Sequence, residues 1–261
     1  MINKIQLSIQ HALNKGEKAF VPYIMAGDGG LDSLVERLEF LEQAGATIIE
    51  IGIPFSDPVA DGPTIQAAGQ RALENGTSLK GILAALSEVR KTVTVPLIFM
   101  TYLNPILSYG IEEFAEVSKS IELNGVIIPD LPPEEEREIK QVLMQADITL
   151  IRLATLTSPI ERLKTISQDA EGFLYAVTVK GVTGARGGFE DEVTKFLQRL
   201  KQMSTIPVLA GFGISTPEQV KEITQFCDGV VVGSQIIQHF KNGEKEKIHQ
   251  LLNGRLLVKS Y

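Results

Sequence analysis

Eight short apolar runs alternate with longer amphipathic stretches from one end of the chain to the other. Most of these runs are continuously apolar, which is typical of parallel strands covered on both faces. Sharing 261 residues among eight runs gives about 33 residues for a strand and its following helix, the size of a βαβ repeat. The pattern predicts an α/β fold, a single (β/α)8 TIM barrel over residues 1–261, with a doubly wound sheet as the alternative. The predicted strands are residues 20–25, 47–51, 96–100, 125–129, 149–153, 173–177, 207–210 and 229–232.

The segment before the first run predicts an extra N-terminal helix. Ile5, Ile9 and Leu13 recur there at helical spacing, and the segment lacks the apolar centre of a secretion signal. No apolar run in the chain approaches the roughly 20 residues needed to span a bilayer. We therefore expect a cytoplasmic protein that does not enter a membrane.

Charge and the metal-binding residue types argue against several other classes of protein. The chain has 25 basic and 32 acidic residues, a net charge of −7, whereas nucleic-acid-binding proteins usually carry a basic surface. Its one cysteine, Cys227, cannot form an intrachain disulfide or a cysteine zinc site. The three histidines include no pair at i, i+4 spacing, so we expect no metal site.

The segment IEIGIPFSDPVADGPTIQ, which begins within the second predicted strand, carries two candidate catalytic carboxylates. Period-two alternation places Glu50 on the same strand face as Ile48. If that face points into the barrel, the carboxyl is buried and its pKa rises toward neutrality, as suits proton transfer. A glutamate that faces outward and pairs with a lysine is the alternative. Asp61 lies on the following loop, where it is either a second catalytic carboxylate or a turn residue.

Glycine-rich turns after the seventh and eighth predicted strands indicate a phosphate site. Gly213 precedes one helix start, and Gly233 and Ser234 lead directly into another. Glycine lets the backbone approach an anion closely, and the N–H groups at a helix start point toward it. Barrels of this class often bind phosphate at these two loops. Because no dinucleotide or nucleotide-binding motif occurs, we expect the phosphate to belong to a small substrate.

The segment 180–188, KGVTGARGG, contains four glycines and follows the sixth predicted strand. This composition predicts a mobile lid over the site, or a tolerant surface loop. The next helical pattern, EDEVTKFLQRLKQM, begins at Glu190. Tyr175, in the strand before the lid, either offers a hydroxyl to the barrel interior or only fills it.

The chain resembles the α subunits of tryptophan synthase along almost its whole length. The segments that carry the resemblance are FVPYIMAGD, IEIGIPFSDPVADGPTIQ, GVTGARG, LAGFGIS and VVVGS. The resemblance implies a TIM barrel that cleaves indole-3-glycerol phosphate to indole and glyceraldehyde 3-phosphate. It also implies Glu50 and Asp61 as catalytic residues, Thr183 as the lid threonine that orders Asp61, and Tyr23 at a place that is usually apolar. The implied substrate-binding residues are Tyr175, Thr183, Gly184, Gly213, Gly233, Ser234, Tyr23 and Met100.

The same resemblance implies a partner and assigns the cofactor to it. Members of this family bind a pyridoxal-phosphate β subunit in an αββα heterotetramer and pass indole to it, and the α subunit itself needs no cofactor. Two other readings of the sequence stay open. One is another phosphate-binding TIM-barrel enzyme, such as a sugar-phosphate isomerase, and the other is a non-catalytic, ligand-binding regulatory barrel.

Overall fold

The computed structural model describes residues 3–178, 186–211 and 213–256, which contain nine strands and twelve helices. The strands are β1 (Ala19–Met25), β2 (Ile49–Gly52), β3 (Leu97–Met100), β4 (Gly125–Ile127), β5 (Thr149–Leu150), β6 (Arg152–Thr155), β7 (Leu174–Val177), β8 (Val208–Gly211) and β9 (Gly229–Val232). The helices are α1 (Lys4–Asn14), α2 (Asp32–Gln43), α3 (Pro63–Glu74), α4 (Leu79–Val89), α5 (Leu103–Tyr109), α6 (Ile111–Ser120), α7 (Glu136–Gln145), α8 (Ile160–Gln168), α9 (Arg186–Met203), α10 (Pro217–Ile223), α11 (Ser234–Lys241) and α12 (Lys245–Asn253).

The strands form one parallel sheet, whose two end strands are joined directly by the chain. Their order is β5-β4-β3-β2-β1-β9-β8-β7-β6, so β5 and β6 lie at its two ends. A single residue, Ile151, separates these two strands. The sheet is therefore an eight-stranded barrel whose fifth strand is divided, and the TIM-barrel prediction is confirmed.

The predicted fifth strand, 149–153, is corrected to two shorter strands. β5 pairs with β4, and β6 pairs with β7 on the other side. To close the barrel, this stretch of chain has to pair with β4 on one side and with β7 on the other. The pairing changes from β4 to β7 at Ile151. Its backbone N–H still donates to Val126 of β4 at 2.9 Å, whereas the next residue is in register with β7. That change of partner produces the break.

Alternate residues of each strand pack into two different apolar clusters. Ile49 and Ile51 of β2 belong to the outer cluster beneath the helices, whereas Ile48, just before β2, belongs to the cluster that fills the barrel. Because side chains alternate along a strand, Glu50 shares the inner face with Ile48. The sequence prediction that this carboxyl points into the barrel is thereby confirmed.

The N-terminal helix α1 packs against the amino-terminal end of the barrel. Ile5 and Ile9 are fully buried in the inner cluster, and Gly125 on β4 lies directly against the Ile5 side chain. The Asn3 side chain accepts from the Gln6 backbone N–H and donates to Thr149, so it caps α1 and ties it to β5. The predicted extra helix is confirmed, and it leaves the carboxyl ends of the strands as the open end of the barrel.

Two helix starts differ from the sequence prediction in opposite directions. α9 begins at Arg186 and not at Glu190, so residues 186–188 belong to a helix and not to the predicted loop. Glycine disfavours a helix by only about 1 kcal/mol, which a long helix that follows can outweigh. Pro133, with the acidic residues that follow it, predicts a second helix start, but α7 begins three residues later, at Glu136, because a turn precedes it. No helix among the described residues is long and apolar enough to cross a membrane.

Candidate active site

A cavity of about 510 Å³ opens at the carboxyl ends of the strands. The loop after β2 contributes one wall, and the turns after β8 and β9 contribute another. It gathers both candidate carboxylates, both candidate tyrosines, the Met100 side chain and the glycine turns. The predicted residues that line it are Glu50, Asp61, Tyr23, Tyr175, Met100, Gly213, Gly233 and Ser234.

Glu50 supplies a buried carboxyl at the floor of the cavity. The residue is 3% exposed, and its Oε2 atom has no hydrogen-bond partner among the described residues. Removing a carboxylate from water without a partner is costly, so the neutral form is favoured. Burial, and then the neighbouring Asp61 carboxylate, raise the pKa of Glu50 to about 8. At neutral pH the group therefore holds a proton that it can give away.

Asp61 faces the same cavity from the loop after β2 and has a lower pKa than Glu50. Burial raises the pKa of Asp61 to about 6, while a hydrogen bond from the Tyr102 hydroxyl favours the ionised form and limits the rise. At pH 7 the two carboxyl groups are consequently in opposite protonation states. Such a pair can act as an acid and as a fixed negative charge at the same time.

Tyr102 is a site residue that the sequence reasoning missed. It follows β3, is almost fully buried, and accepts a hydrogen bond from the Ala60 backbone N–H at 2.9 Å while donating to Asp61. Its ring also packs on Phe55, with 5.3 Å between the ring centroids. Tyr102 thus holds the loop that carries Asp61 against the barrel. The available signal was a tyrosine two residues after a predicted strand, but nothing local indicates a contact 42 residues back along the chain.

Two glycines at strand ends make room for the tyrosine rings in the cavity. A Cβ atom on Gly52 would lie 1.9 Å from the Tyr23 hydroxyl oxygen, and one on Gly211 would lie 2.5 Å from that of Tyr175. Both contacts are far inside van der Waals distance, so any side chain at either position would displace a ring. Burial raises the pKa of both tyrosines well above its ordinary value, and both hydroxyls stay protonated.

The second wall is built from backbone at the two adjacent turns after β8 and β9. Gly213 has a φ of 76°, in the left-handed region that favours glycine, and α11 begins at Ser234 with Gly233 as its N-cap. The first N–H groups of a helix have no partner within the helix and carry its positive dipole end. This wall can therefore hold an anion, as the sequence predicts.

Two predicted site residues, Thr183 and Gly184, lie outside the described residues. Within the described ranges, no group of three or more histidine, cysteine, aspartate or glutamate side chains is arranged to hold a metal ion.

Comparison with known proteins gives one consistent family. The family model described as tryptophan synthase alpha chain matches residues 9–259. A tryptophan synthase alpha chain of Bacillus thuringiensis (strain Al Hakam) is 55% identical over 246 residues, which are 94% of this chain and 95% of that protein.

Solved structures agree with the family model. A chain of Mycobacterium tuberculosis tryptophan synthase gives a TM-score of 0.91 at 31% identity, covering 99% of this chain and 100% of that one. The tryptophan synthase alpha chain of Legionella pneumophila subsp. pneumophila gives a TM-score of 0.88 at 32% identity, with 100% of both chains covered.

The raised pKa of Glu50 predicts that Glu50→Gln stabilises the fold at pH 8 but not at pH 4. Below its ordinary pKa of 4.5, Glu50 is protonated whether the chain is folded or unfolded. Between pH 4.5 and about pH 8 only the folded chain keeps the proton. The free energy of unfolding therefore falls by about 1.4 kcal/mol for each pH unit in this range. The neutral glutamine removes this loss, which is about 5 kcal/mol at most by pH 8.

Urea unfolding of the parent and the variant at both pH values measures the difference. Glu88→Gln is the matched control, because Glu88 is exposed and pairs with Lys91 at the surface. Its effect should stay within about 1 kcal/mol at both pH values, the usual limit for a surface ion pair. An equal effect of Glu50→Gln at pH 4 and pH 8 would show that folding does not raise the pKa of Glu50.

Proposed function

The chain belongs to the tryptophan synthase alpha chain family, and we infer that Glu50 and Asp61 are the catalytic residues of its reaction. The protein is a lyase that cleaves indole-3-glycerol phosphate to indole and glyceraldehyde 3-phosphate. The observation that carries the residue assignment is the pair of carboxyl groups in one apolar cavity, with pKa values of about 8 and about 6.

Glu50 is the proton-transfer group in this proposal. Cleavage breaks the bond between the indole ring carbon and the side-chain carbon that bears a hydroxyl. Protonated Glu50 gives its proton to the ring carbon and becomes a carboxylate. As the carbon–carbon bond breaks, the same carboxylate takes the proton of the hydroxyl, whose oxygen becomes the aldehyde oxygen. Glu50 ends the cycle protonated, and atoms and charge balance.

Asp61 stabilises the charge that this transfer creates. Protonation of the ring carbon leaves positive charge on the indole, which the ring nitrogen shares. An ionised Asp61 that accepts the indole N–H would stabilise that charge most when it is fully developed. The Tyr102 hydroxyl supports this role because its hydrogen bond favours the ionised form of Asp61.

The phosphate and indole ends of the substrate fit the two remaining parts of the cavity. We propose that the phosphate binds at Gly213, Gly233 and Ser234, where the start of α11 faces the cavity. The indole ring then lies among the apolar groups, with Met100, Tyr23 and Tyr175 around it. The family resemblance implies that Thr183 belongs to the lid and that Gly184 lies near the phosphate. Both roles stay predictions.

The chemistry of this scheme uses only groups of this chain. The family of alpha chains needs no cofactor, and each step above is a proton transfer or a hydrogen bond. We propose that pyridoxal phosphate belongs to the β-subunit partner that the family implies. A cytoplasmic location is likewise a proposal, which cell fractionation would test.

Three exposed apolar side chains follow strands at the open end of the barrel. Val59 is 83% exposed, Leu107 48% and Ile160 44%. They lie on the loop after β2, on α5 after β3 and at the start of α8 after β6, all beyond the carboxyl ends of strands. Large exposed apolar side chains at one end of a molecule favour an interaction surface there. We propose that the β subunit binds here within an αββα heterotetramer.

We expect Glu50→Gln to lower the turnover number at least about 100-fold while the chain stays folded, since general acid–base catalysis contributes about 10²–10⁴-fold. The parent should show a bell-shaped pH profile of kcat/KM. Its activity falls below about pH 6 as Asp61 is protonated and above about pH 8 as Glu50 loses its proton. Indole release from indole-3-glycerol phosphate measures both effects, with Glu88→Gln as the control. Near-parent turnover of Glu50→Gln would remove Glu50 from this role.

We expect Ser234→Asp to raise KM at least about tenfold, because a carboxylate at the start of α11 repels the phosphate. Ser78→Asp is the matched control. Ser78 is also at a helix start, where its side chain accepts from the Gly81 N–H, but it does not line the cavity. Aspartate is an equally good N-cap there, so the fold and the KM should not change. Unchanged KM in Ser234→Asp would place the phosphate elsewhere.

We expect Val59→Asp to raise, by about tenfold or more, the β-subunit concentration that half-saturates the chain in a binding titration. Burying an unpaired carboxylate at an interface costs more than the roughly 1.4 kcal/mol that a tenfold change represents. Met144→Asp is the control, because Met144 is similarly exposed but lies near the carboxyl end of α7, at the opposite end of the barrel. Equal β-subunit titration curves for both variants would contradict the proposed face.

A further inference from the structure

The hydroxyl of Tyr23 is a buried polar group without a partner inside the cavity. The residue is 4% exposed, and its hydroxyl oxygen makes no hydrogen bond among the described residues. Leaving such a group unpaired costs about 1–3 kcal/mol, whereas phenylalanine would fill the same place at no such cost. A buried hydroxyl without a partner at the edge of a ligand cavity is explained if the ligand supplies the hydrogen-bond partner.

The position of this hydroxyl relates it to both carboxylates. Tyr23 on β1 is in register with Glu50 on β2, and its ring reaches over Gly52, two residues further along the same strand. Gly52 is on the inner face of β2, as Glu50 is, so the hydroxyl lies one layer above the Glu50 carboxyl, toward the cavity mouth. The Asp61 and Glu50 carboxylates are also the charges that act most strongly on the Tyr23 hydroxyl.

The other side of the Tyr23 ring faces the anion-binding wall. A Cβ atom on Gly233 would lie 3.5 Å from the ring, an ordinary contact distance. Tyr23 thus extends from the proposed phosphate site to the reacting carboxyl. In the proposed binding mode, the indole N–H is at Asp61 and the phosphate is near Gly233. The three-carbon chain that joins them then passes the Tyr23 hydroxyl.

We propose that the Tyr23 hydroxyl forms a hydrogen bond with the substrate hydroxyl on the carbon next to the indole ring, and so selects a hydroxylated side chain. This inference rests on the proposed function, because Glu50 has to protonate the adjacent ring carbon. The carbon that bears the hydroxyl is bonded to that ring carbon, which puts the hydroxyl above Glu50, at the level of the Tyr23 oxygen. Burial keeps Tyr23 protonated, so it can donate to the substrate oxygen or accept from it.

Binding to a chain that cannot cleave the substrate tests the proposal. Calorimetry in the Glu50→Gln background would use two probes, indole-3-glycerol phosphate and an analogue with the same ring, chain length and phosphate but no chain hydroxyls. Adding Tyr23→Phe should weaken binding of the hydroxylated substrate about 3–10-fold, the range of one hydrogen bond. Binding of the analogue should stay the same or tighten. Tyr109→Phe, which removes a tyrosine hydroxyl outside the cavity, is the matched control.

The outcomes separate the inference from the proposed function. An equal change for both probes, or no change for either, would overturn the assignment of the Tyr23 hydroxyl, while binding in the Glu50→Gln background would still support the proposed site. If the Glu50→Gln chain bound neither probe, both the site and the inference would fail. As a second readout, Tyr23→Phe with Glu50 intact should lower kcat/KM for indole release by a similar factor, whereas Tyr109→Phe should not.

Discussion

The burial of one carboxyl inside a closed apolar barrel is the constraint on which the site depends. A closed parallel sheet pairs the backbone groups of its strands with one another, and α1 fills its amino-terminal end with Ile5 and Ile9. Among the residues that the structure describes, no cation pairs with Glu50, so it keeps its proton to a pKa of about 8. The fold creates the acid chiefly by keeping water away from it.

Three consecutive residues of the loop after β2 connect the protein surface, the Tyr102 hydroxyl and the cavity. Val59 is exposed to solvent, Ala60 donates to the Tyr102 hydroxyl, and Asp61 lines the cavity. A contact on Val59 is therefore one residue from the Ala60–Tyr102 hydrogen bond and two residues from the Asp61 carboxyl group. Tyr102 is the fixed point of this arrangement. In physical terms, a partner on the outer surface could bias Asp61 by shifting a short stretch of backbone.

The sequence predicted most of the fold, and most of the residues that it predicts for the site line one cavity. Continuous apolar runs located eight strands, and alternation on β2 correctly placed Glu50 in the barrel, because both signals are local. The division of the fifth strand at Ile151 could not be read, since it follows from closure of the whole sheet. Tyr102 was missed because its contacts with the loop that carries Asp61 are also distant in sequence. The α9 start was wrong because the glycines at 187 and 188 resemble a loop, and the one-domain assignment of residues 1–261 stays a prediction.

The plug formed by α1 has a consequence for where the products can go. Below the cavity lie packed isoleucine side chains, and above it lies the loop face with its exposed valine, leucine and isoleucine. Indole is small, uncharged and apolar, so no charge would hold it back once the carbon–carbon bond has broken. It would diffuse outward along the barrel axis, in one direction. A protein bound to that end would receive the indole before it reached bulk water. The barrel would therefore release indole at one end only.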